Sequence, residues 1–134
     1  MLAAAYASGV VADVAGRGLH AGLCTGLGAR TGVAHGLAGA ILLPHVIRFD
    51  LESDEGGLAR FSEAIGAGGP AEGADLVEAR ATDLGLPRRL REVGVFEQDI
   101  EPVAAWVAER SPEARQNPRP VSESDALAIL RAAW

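Results

Sequence analysis

The sequence predicts an all-α domain. Its apolar segments are rich in alanine and leucine at helical spacing, strand-like alternation is almost absent, and glycine or proline ends most of these segments. The chain has 134 residues, of which 49% are apolar and 22% charged, the usual composition of a globular protein. We therefore expect a single helical domain over residues 1–134.

The first two helices are predicted around a pair of glycines. Residues Leu2 to Ala15 contain good helix formers and no proline, so a helix is favoured over a strand. Gly16 and Gly18 end it. A second helix is expected from Leu19 to Leu27, although its two glycines lower the helix propensity.

The middle of the chain predicts a loop followed by a buried element. Residues 29–36 have a loop composition, whereas 37–50 place apolar side chains on nearly every side, as in a buried helix or a buried strand. Length favours the helix, and Pro44 is expected to kink it. Residues 51–57 form a polar connection.

The second half predicts short helical pieces separated by glycine and proline. They are expected at residues 58–66, 74–84, 88–93 and 99–109, with a break at 66–70 and a loop at 111–120. Ser122, with Asp125 three residues later, is typical of a capped helix start, here of a last helix that runs to Trp134.

Charge and cysteine content exclude several classes of protein. Twelve basic residues against eighteen acidic ones give a net charge of −6 and a pI near 5.0, which argues against a nucleic-acid partner. The single Cys24 excludes an internal disulfide framework and fits a reducing compartment, so we expect a cytoplasmic protein. The apolar run 37–47 is too short to cross a bilayer, so no membrane partner is expected.

The three histidines are the first candidates for chemistry, because imidazole is the commonest metal ligand and proton carrier near neutral pH. Taken alone, His20, His35 and His45 each suit a packing or hydrogen-bonding role. They could form a metal site only if the fold brings them together. Cys24 is interpreted as a small buried apolar residue rather than a nucleophile.

A dinucleotide-binding fingerprint is matched by residues 16–21, Gly-Arg-Gly-Leu-His-Ala. That motif also requires an acidic residue about 20 positions downstream, and Asp50 lies too far away. We interpret these glycines as a break between helices.

Three segments in collinear order resemble the iron-containing alcohol dehydrogenases. They are GLHAGLCTGLGARTGVAHGLAGAILLPHVIRFD at 18–50, GLPRRLREVGVFEQDI at 85–100 and NPRP at 117–120. The initial GLH and Leu23-Cys24 are most similar to the maleylacetate reductase branch. The resemblance implies the helical C-terminal half of this family, with a dehydroquinate synthase-like fold.

The resemblance also implies one metal ligand in this chain. The family has a ligand histidine, a second histidine four residues later near the nicotinamide, then Leu-Gly, and a last ligand histidine before glycine. Leu27-Gly28 and His35-Gly36 keep this register, so His35 matches a ligand, while Ala21 and Thr25 stand where the other two histidines would be. His20 could replace the ligand at position 21 only if the backbone there is irregular.

The family places its nucleotide-binding domain and its first two ligands upstream of this region, so the resemblance implies that the domain over residues 1–134 lacks the N-terminal nucleotide-binding domain. The resemblance implies NAD(P)-linked oxidoreduction of an alcohol or carbonyl, with iron or zinc polarising the oxygen. We expect no catalytic residue, no cofactor-binding residue and no cofactor in the isolated chain, which would be inactive without a separate nucleotide-binding chain. Two alternatives stay open: a non-catalytic helical module that self-associates or binds another protein, and a truncated product without a function.

Overall fold

The computed structural model describes residues 2–52 and 56–134, and within them it contains helices and turns but no strand. The predicted all-α fold is confirmed. The α-helices are α1 (Leu2–Ala15), α2 (Leu19–Thr31), α3 (His35–Asp50), α4 (Gly57–Ile65), α5 (Pro70–Asp83), α6 (Glu97–Arg110) and α7 (Glu123–Ala133). Two short 3-10 turns lie at Leu90–Val93 and Ala114–Gln116.

The junction between α1 and α2 lies at the predicted glycines, but α2 is longer than expected. Gly16 has a φ of 82°, in the left-handed region that favours glycine. The predicted loop at 29–36 is wrong, because α2 continues to Thr31 and α3 begins at His35. Gly32 (φ 76°) ends α2 by donating its backbone N–H to the Gly28 carbonyl. The end of the helix is therefore set by this glycine and not by the loop-like composition that begins at residue 29.

The apolar segment after this turn is a helix rather than a strand. Helix α3 contains Pro44, and its buried residues lie on several sides: Ala38, Gly39, Ile41, Leu42, Pro44, Val46 and Ile47. Residues 53–55 of the predicted polar connection lie outside the described residues.

The later helices begin earlier than the sequence predicted. Helix α5 starts at Pro70, whose fixed φ and missing N–H suit the first turn of a helix. Helix α6 starts at Glu97, because the Asp99 carboxylate accepts a hydrogen bond from the Phe96 backbone N–H (3.1 Å). Ser122 caps α7 as predicted, accepting the Asp125 N–H at 3.2 Å.

The core lies between α2, α3, α6 and α7. Helix α2 packs against α3 and α6, and α7 packs against α3 and α6, while α5 lies between α3 and α4. The largest fully buried side chains are mostly leucine, isoleucine and valine: Leu19, Leu23, Leu27, Leu42, Leu90, Ile100, Leu130, Val95, Val103 and Val107. Helix α1 buries none of its residues. In the described part of the chain, every helix is too short or too polar to cross a membrane.

Candidate functional site

Asn117, the first residue of the NPRP segment, joins the start of α2 to the end of α3. Its side-chain oxygen accepts the backbone N–H of Leu19, the first residue of α2, at 2.9 Å. Its amide nitrogen donates to the carboxylate of Asp50, the last residue of α3, at 2.7 Å. A Cβ atom at Gly18 would lie 2.8 Å from that amide oxygen, so the close approach requires glycine there.

Arg119 reinforces the same connection. It donates a hydrogen bond to the Phe49 carbonyl (2.8 Å), its guanidinium lies 4.1 Å from the centre of the Phe49 ring, and it pairs with Glu52 at 3.2 Å. On the other side, the Arg17 backbone N–H donates to the Gln116 side chain at 3.1 Å. The 116–119 segment thus fixes where α2 begins relative to the end of α3.

His20 lies in the first turn of α2 and faces α3. Its Nε2 is 3.0 Å from the Gly39 carbonyl oxygen, and the Cys24 thiol sulfur, one helical turn later, is 3.8 Å from the same nitrogen. The contact with a carbonyl oxygen requires Nε2 to carry the proton. A Cβ at Gly39 would lie 3.4 Å from the His20 ring, so a residue without a side chain lets the two helices approach.

Burial sets the acid–base behaviour of this pair. Desolvation lowers the pKa of His20 and outweighs the hydrogen bond to Gly39, which favours the charged ring, and the charge of His35 lowers it further. Desolvation raises the pKa of Cys24 to about 11, so its thiol is protonated at neutral pH. Cys24 is fully buried, in agreement with its interpretation as a small apolar residue.

His35 is the first residue of α3 and is exposed, close enough to influence His20 electrostatically. The two candidate ligands therefore lie in the first turns of α2 and α3. Ala21 is half-buried and Thr25 is exposed on α2, which is continuous from Leu19 to Thr31. Because neighbouring residues of a helix point about 100° apart, the His20 ring does not point where a histidine ring at position 21 would point.

His45 lies elsewhere, near the contact between α3 and α5. Desolvation lowers its pKa, with a further lowering from Arg48 and Arg89 that Glu78 partly offsets. Arg48 joins α3 to α5 through ion pairs with Asp75 at 2.6 Å and Glu78 at 2.7 Å. His45 thus lies on α3 within the electrostatic influence of Arg48 and Glu78, away from the first turn of α3 that carries His35.

The donor set at the candidate site does not fit a complete metal centre. No group of three or more His, Cys, Asp or Glu side chains able to hold a metal ion occurs among residues 2–52 and 56–134. A catalytic metal normally has three protein ligands and one open position. His35 contributes one imidazole, and the contact of His20 Nε2 with Gly39 competes with a metal for that nitrogen.

Asn117, Asp50 and Gly39 position this region, yet sequence reasoning assigned them no role. The NPRP segment was recognised as a motif, but its partners are 67 and 98 residues away in the chain. An asparagine directly before a proline is a turn signal, so the sequence could indicate a turn at Asn117 but not the residues to which it bonds.

A family model described as "Fe-containing alcohol dehydrogenase family, C-terminal" matches residues 1–134. The chain is 33% identical to lactaldehyde reductase of Escherichia coli K12, covering 96% of this chain and 36% of that protein. It is 34% identical to maleylacetate reductase 2 of Cupriavidus pinatubonensis, covering 99% of this chain and 36% of that protein. The chain thus spans about a third of the length of these relatives.

Solved structures agree with this relationship. A crystal structure of 1,3-propanediol oxidoreductase superposes with a TM-score of 0.80 and 29% identity, over 87% of this chain and 32% of that one. Maleylacetate reductase from Agrobacterium tumefaciens gives a TM-score of 0.76 and 29% identity, over 89% of this chain and 32% of that one. Since the family model covers the whole chain and the helical fold agrees, this protein belongs to the Fe-containing alcohol dehydrogenase family, of which it represents the C-terminal helical region.

Proposed function

We propose that this chain is the helical C-terminal part of an NAD(P)-dependent alcohol or carbonyl oxidoreductase, and that it has no activity in isolation. The observation that carries the proposal is the incomplete donor set: His35 is retained, while Ala21 and Thr25 stand at the other two histidine positions. The relatives that it matches include proteins named lactaldehyde reductase and maleylacetate reductase. The chain corresponds to about a third of each.

The nicotinamide cofactor and the remaining ligands would come from the part of the architecture that this chain does not match. Iron or zinc would then be held by His35 together with ligands from that part, where it would polarise the oxygen of an alcohol or carbonyl. Its own contribution would be the exposed imidazole of His35, presented at the start of α3. The proposed location is the cytoplasm, where the single Cys24 stays reduced.

The first experiment measures the metal content of the chain purified without a chelator. We expect well under ~0.3 iron or zinc per chain, because three protein ligands are normally needed. About one metal per chain, lost in His35→Ala and retained in His45→Ala, would contradict the proposal of an incomplete site. His45→Ala is the matched control because it removes an imidazole outside the candidate site.

The second experiment supplies the missing part. This chain would be co-expressed with the part of E. coli lactaldehyde reductase to which it has no match. Expected results are co-purification, and NADH-dependent reduction of lactaldehyde that His35→Ala abolishes and His45→Ala retains. A stable complex without turnover would rule out the catalytic proposal.

A non-catalytic helical module is the second candidate. It is favoured by Ala21, which has no donor atom, and by the contact between His20 Nε2 and the Gly39 carbonyl. A stable complex that lacks turnover and metal would support this candidate, so the same two experiments distinguish the two functions.

A further inference from the structure

Helix α4 is attached to the rest of the fold through α5. Among the described residues, α5 is the only helix with which α4 makes an extended contact. The side of α4 that packs on α5 carries residues at helical spacing, which we call the docking face: Leu58, Phe61, Ser62 and Ile65. Three of these four residues are apolar, as expected for a helix that packs on a neighbour.

A serine occupies the most buried position of this docking face. Ser62 is fully buried and is the single buried residue of α4, whereas Phe61 beside it is 37% exposed. The Ser62 hydroxyl has no hydrogen-bond partner among the described residues. A buried hydroxyl without a partner loses the hydrogen bonds that water would give it, so the docked position of α4 carries a free-energy penalty.

The surface of α5 that receives α4 is made of small residues. The buried residues of α5 are Gly73 and Ala74. A Cβ at Gly73 would clash with the Ser62 hydroxyl and lie 3.2 Å from the Ser62 Cβ, so the two helices approach closely but bury little apolar side chain at this point. A hydrogen bond from Arg80 to the Ile65 carbonyl joins the helices at the exposed surface and is long, at 3.3 Å.

Both ends of α4 lie at glycines, whereas α5 is held by ion pairs. Gly56 (φ 99°) precedes the helix and Gly66 (φ 87°) follows it, and glycine can change its backbone angles at little cost. On its other side, α5 packs against α3, where Arg48 bonds Asp75 at 2.6 Å and Glu78 at 2.7 Å. The contact between α3 and α5 therefore does not depend on α4.

We infer that α4 is a hinged helix, which opens away from α5 as a separate unit and exposes Ser62 to water while α5 and the core stay folded. A segment that buries few apolar contacts opens at a lower free energy than the whole domain. The motion leaves the first turns of α2 and α3 in place, since α4 makes no extended contact with either helix in the described part of the chain. The inference is independent of the proposed catalytic role.

The test is native-state hydrogen exchange, followed by NMR at guanidinium chloride concentrations well below the unfolding transition. We expect the amides of α4 to exchange through an opening at least ~100-fold more frequent than the one that exposes the amides of α2 and α6. The α4 opening should also depend weakly on denaturant, because it exposes little surface. Equal opening constants with equal denaturant dependence would overturn the inference, since α4 would then unfold only with the core.

Ser62→Ala tests the buried hydroxyl. It removes the unpartnered group and should lower the opening constant of α4 at least ~10-fold. Ala64→Ser is the matched control, because it exchanges the same two residues in reverse at an exposed position of α4. It should raise the opening constant less than ~3-fold, as the difference in helix propensity predicts. An unchanged or raised opening constant in Ser62→Ala would contradict the role of Ser62.

Gly73→Ala tests whether α4 opens alone. The added Cβ clashes with Ser62 and should raise the opening constant of α4 at least ~10-fold. The amides of α2 and α6 should stay at least ~100-fold better protected than those of α4. Loss of protection in α4 and in the core together would show one cooperative unit and would overturn the inference. Unchanged protection of α4 would contradict the close contact with α5.

Discussion

The side-chain amide of Asn117 donates a hydrogen bond to the carboxylate of Asp50 at 2.7 Å, across 67 residues of sequence. The same asparagine accepts the Leu19 N–H, so one side chain connects the end of α3 to the start of α2. These two helices carry His20 and His35. Asn117 therefore supports the geometry of the candidate site, although it lies in neither helix.

Removing this side chain should destabilise the fold. Asn117→Ala leaves the first N–H group of α2 without its acceptor and takes a partner from Asp50, so we expect a loss of about 1–2 kcal/mol in the free energy of unfolding. Denaturant unfolding followed by circular dichroism measures it. Gln98→Ala, at an exposed position of α6, is the control and should change stability by less than ~0.5 kcal/mol. Equal effects of the two variants would show that the Asn117 connection contributes nothing.

Two glycines of α2 should respond to alanine in opposite ways. A Cβ at Gly22 would lie 2.6 Å from the Ser111 hydroxyl, whose oxygen is buried and hydrogen-bonded to Glu113 and Ala114. We expect Gly22→Ala to destabilise the protein by about 1–3 kcal/mol because the helices must move apart. Thermal and denaturant unfolding of the variant would measure this loss.

Gly28→Ala is the matched control on the same helix. Its Cβ would lie 3.6 Å from the Val33 carbonyl oxygen, an ordinary contact. Here the higher helix propensity of alanine should stabilise the protein by up to ~1 kcal/mol. Destabilisation of both variants to the same extent would contradict the contact between α2 and Ser111.

His20 should make the protein less stable in mild acid. Its pKa is lowered from 6.5 in the folded state, mainly by burial, so the unfolded chain binds the proton first as the pH falls. Its contribution to stability is complete above pH 6.5 and is lost as the pH falls below that value. His45 acts in the same direction, because burial also lowers its pKa.

NMR titration of the imidazole signals measures this directly. The His20 midpoint should lie below 6.5, and the pH dependence of unfolding should become less steep in His20→Gln. A His20 midpoint at or above 6.5 would contradict the burial argument.

Cys24 should react slowly with thiol reagents while the protein is folded. The thiol is fully buried and its pKa is raised to about 11, so roughly one molecule in a thousand carries a thiolate at pH 8. Labelling with a chromogenic disulfide at pH 8 should be at least ~100-fold slower in the native protein than in guanidinium chloride. Equal rates in the two conditions would mean that Cys24 is accessible.

Local sequence signals predicted most of the helices. Glycines at 16 and 18, and Ser122 with Asp125, act on their immediate neighbours, so their effects could be inferred without tertiary structure. The errors occurred where one residue outweighed the local composition. Gly32 allowed α2 to continue to Thr31 through residues that had a loop composition, and Pro70 began α5 four residues early.

The sequence also identified the candidate ligands, but not their surroundings. His35, Ala21 and Thr25 were assigned from the register of the family motif, which depends only on spacing along the chain. The packing of α2 against α3 decides that His20 faces the Gly39 carbonyl. It also decides that, in the described part of the chain, no group of three His, Cys, Asp or Glu side chains can hold a metal ion.

By itself, the sequence determined the helical class and the family, and it supplied His35 and His20 as candidate metal ligands. Those properties follow from residue type and from spacing over a few positions, which the backbone converts directly into helices and caps. Tertiary structure alone decided that Asn117 joins two helices and that α1 is left uncovered. Such contacts join residues far apart in the chain, and the packing of α2, α3, α6 and α7 around one core creates them.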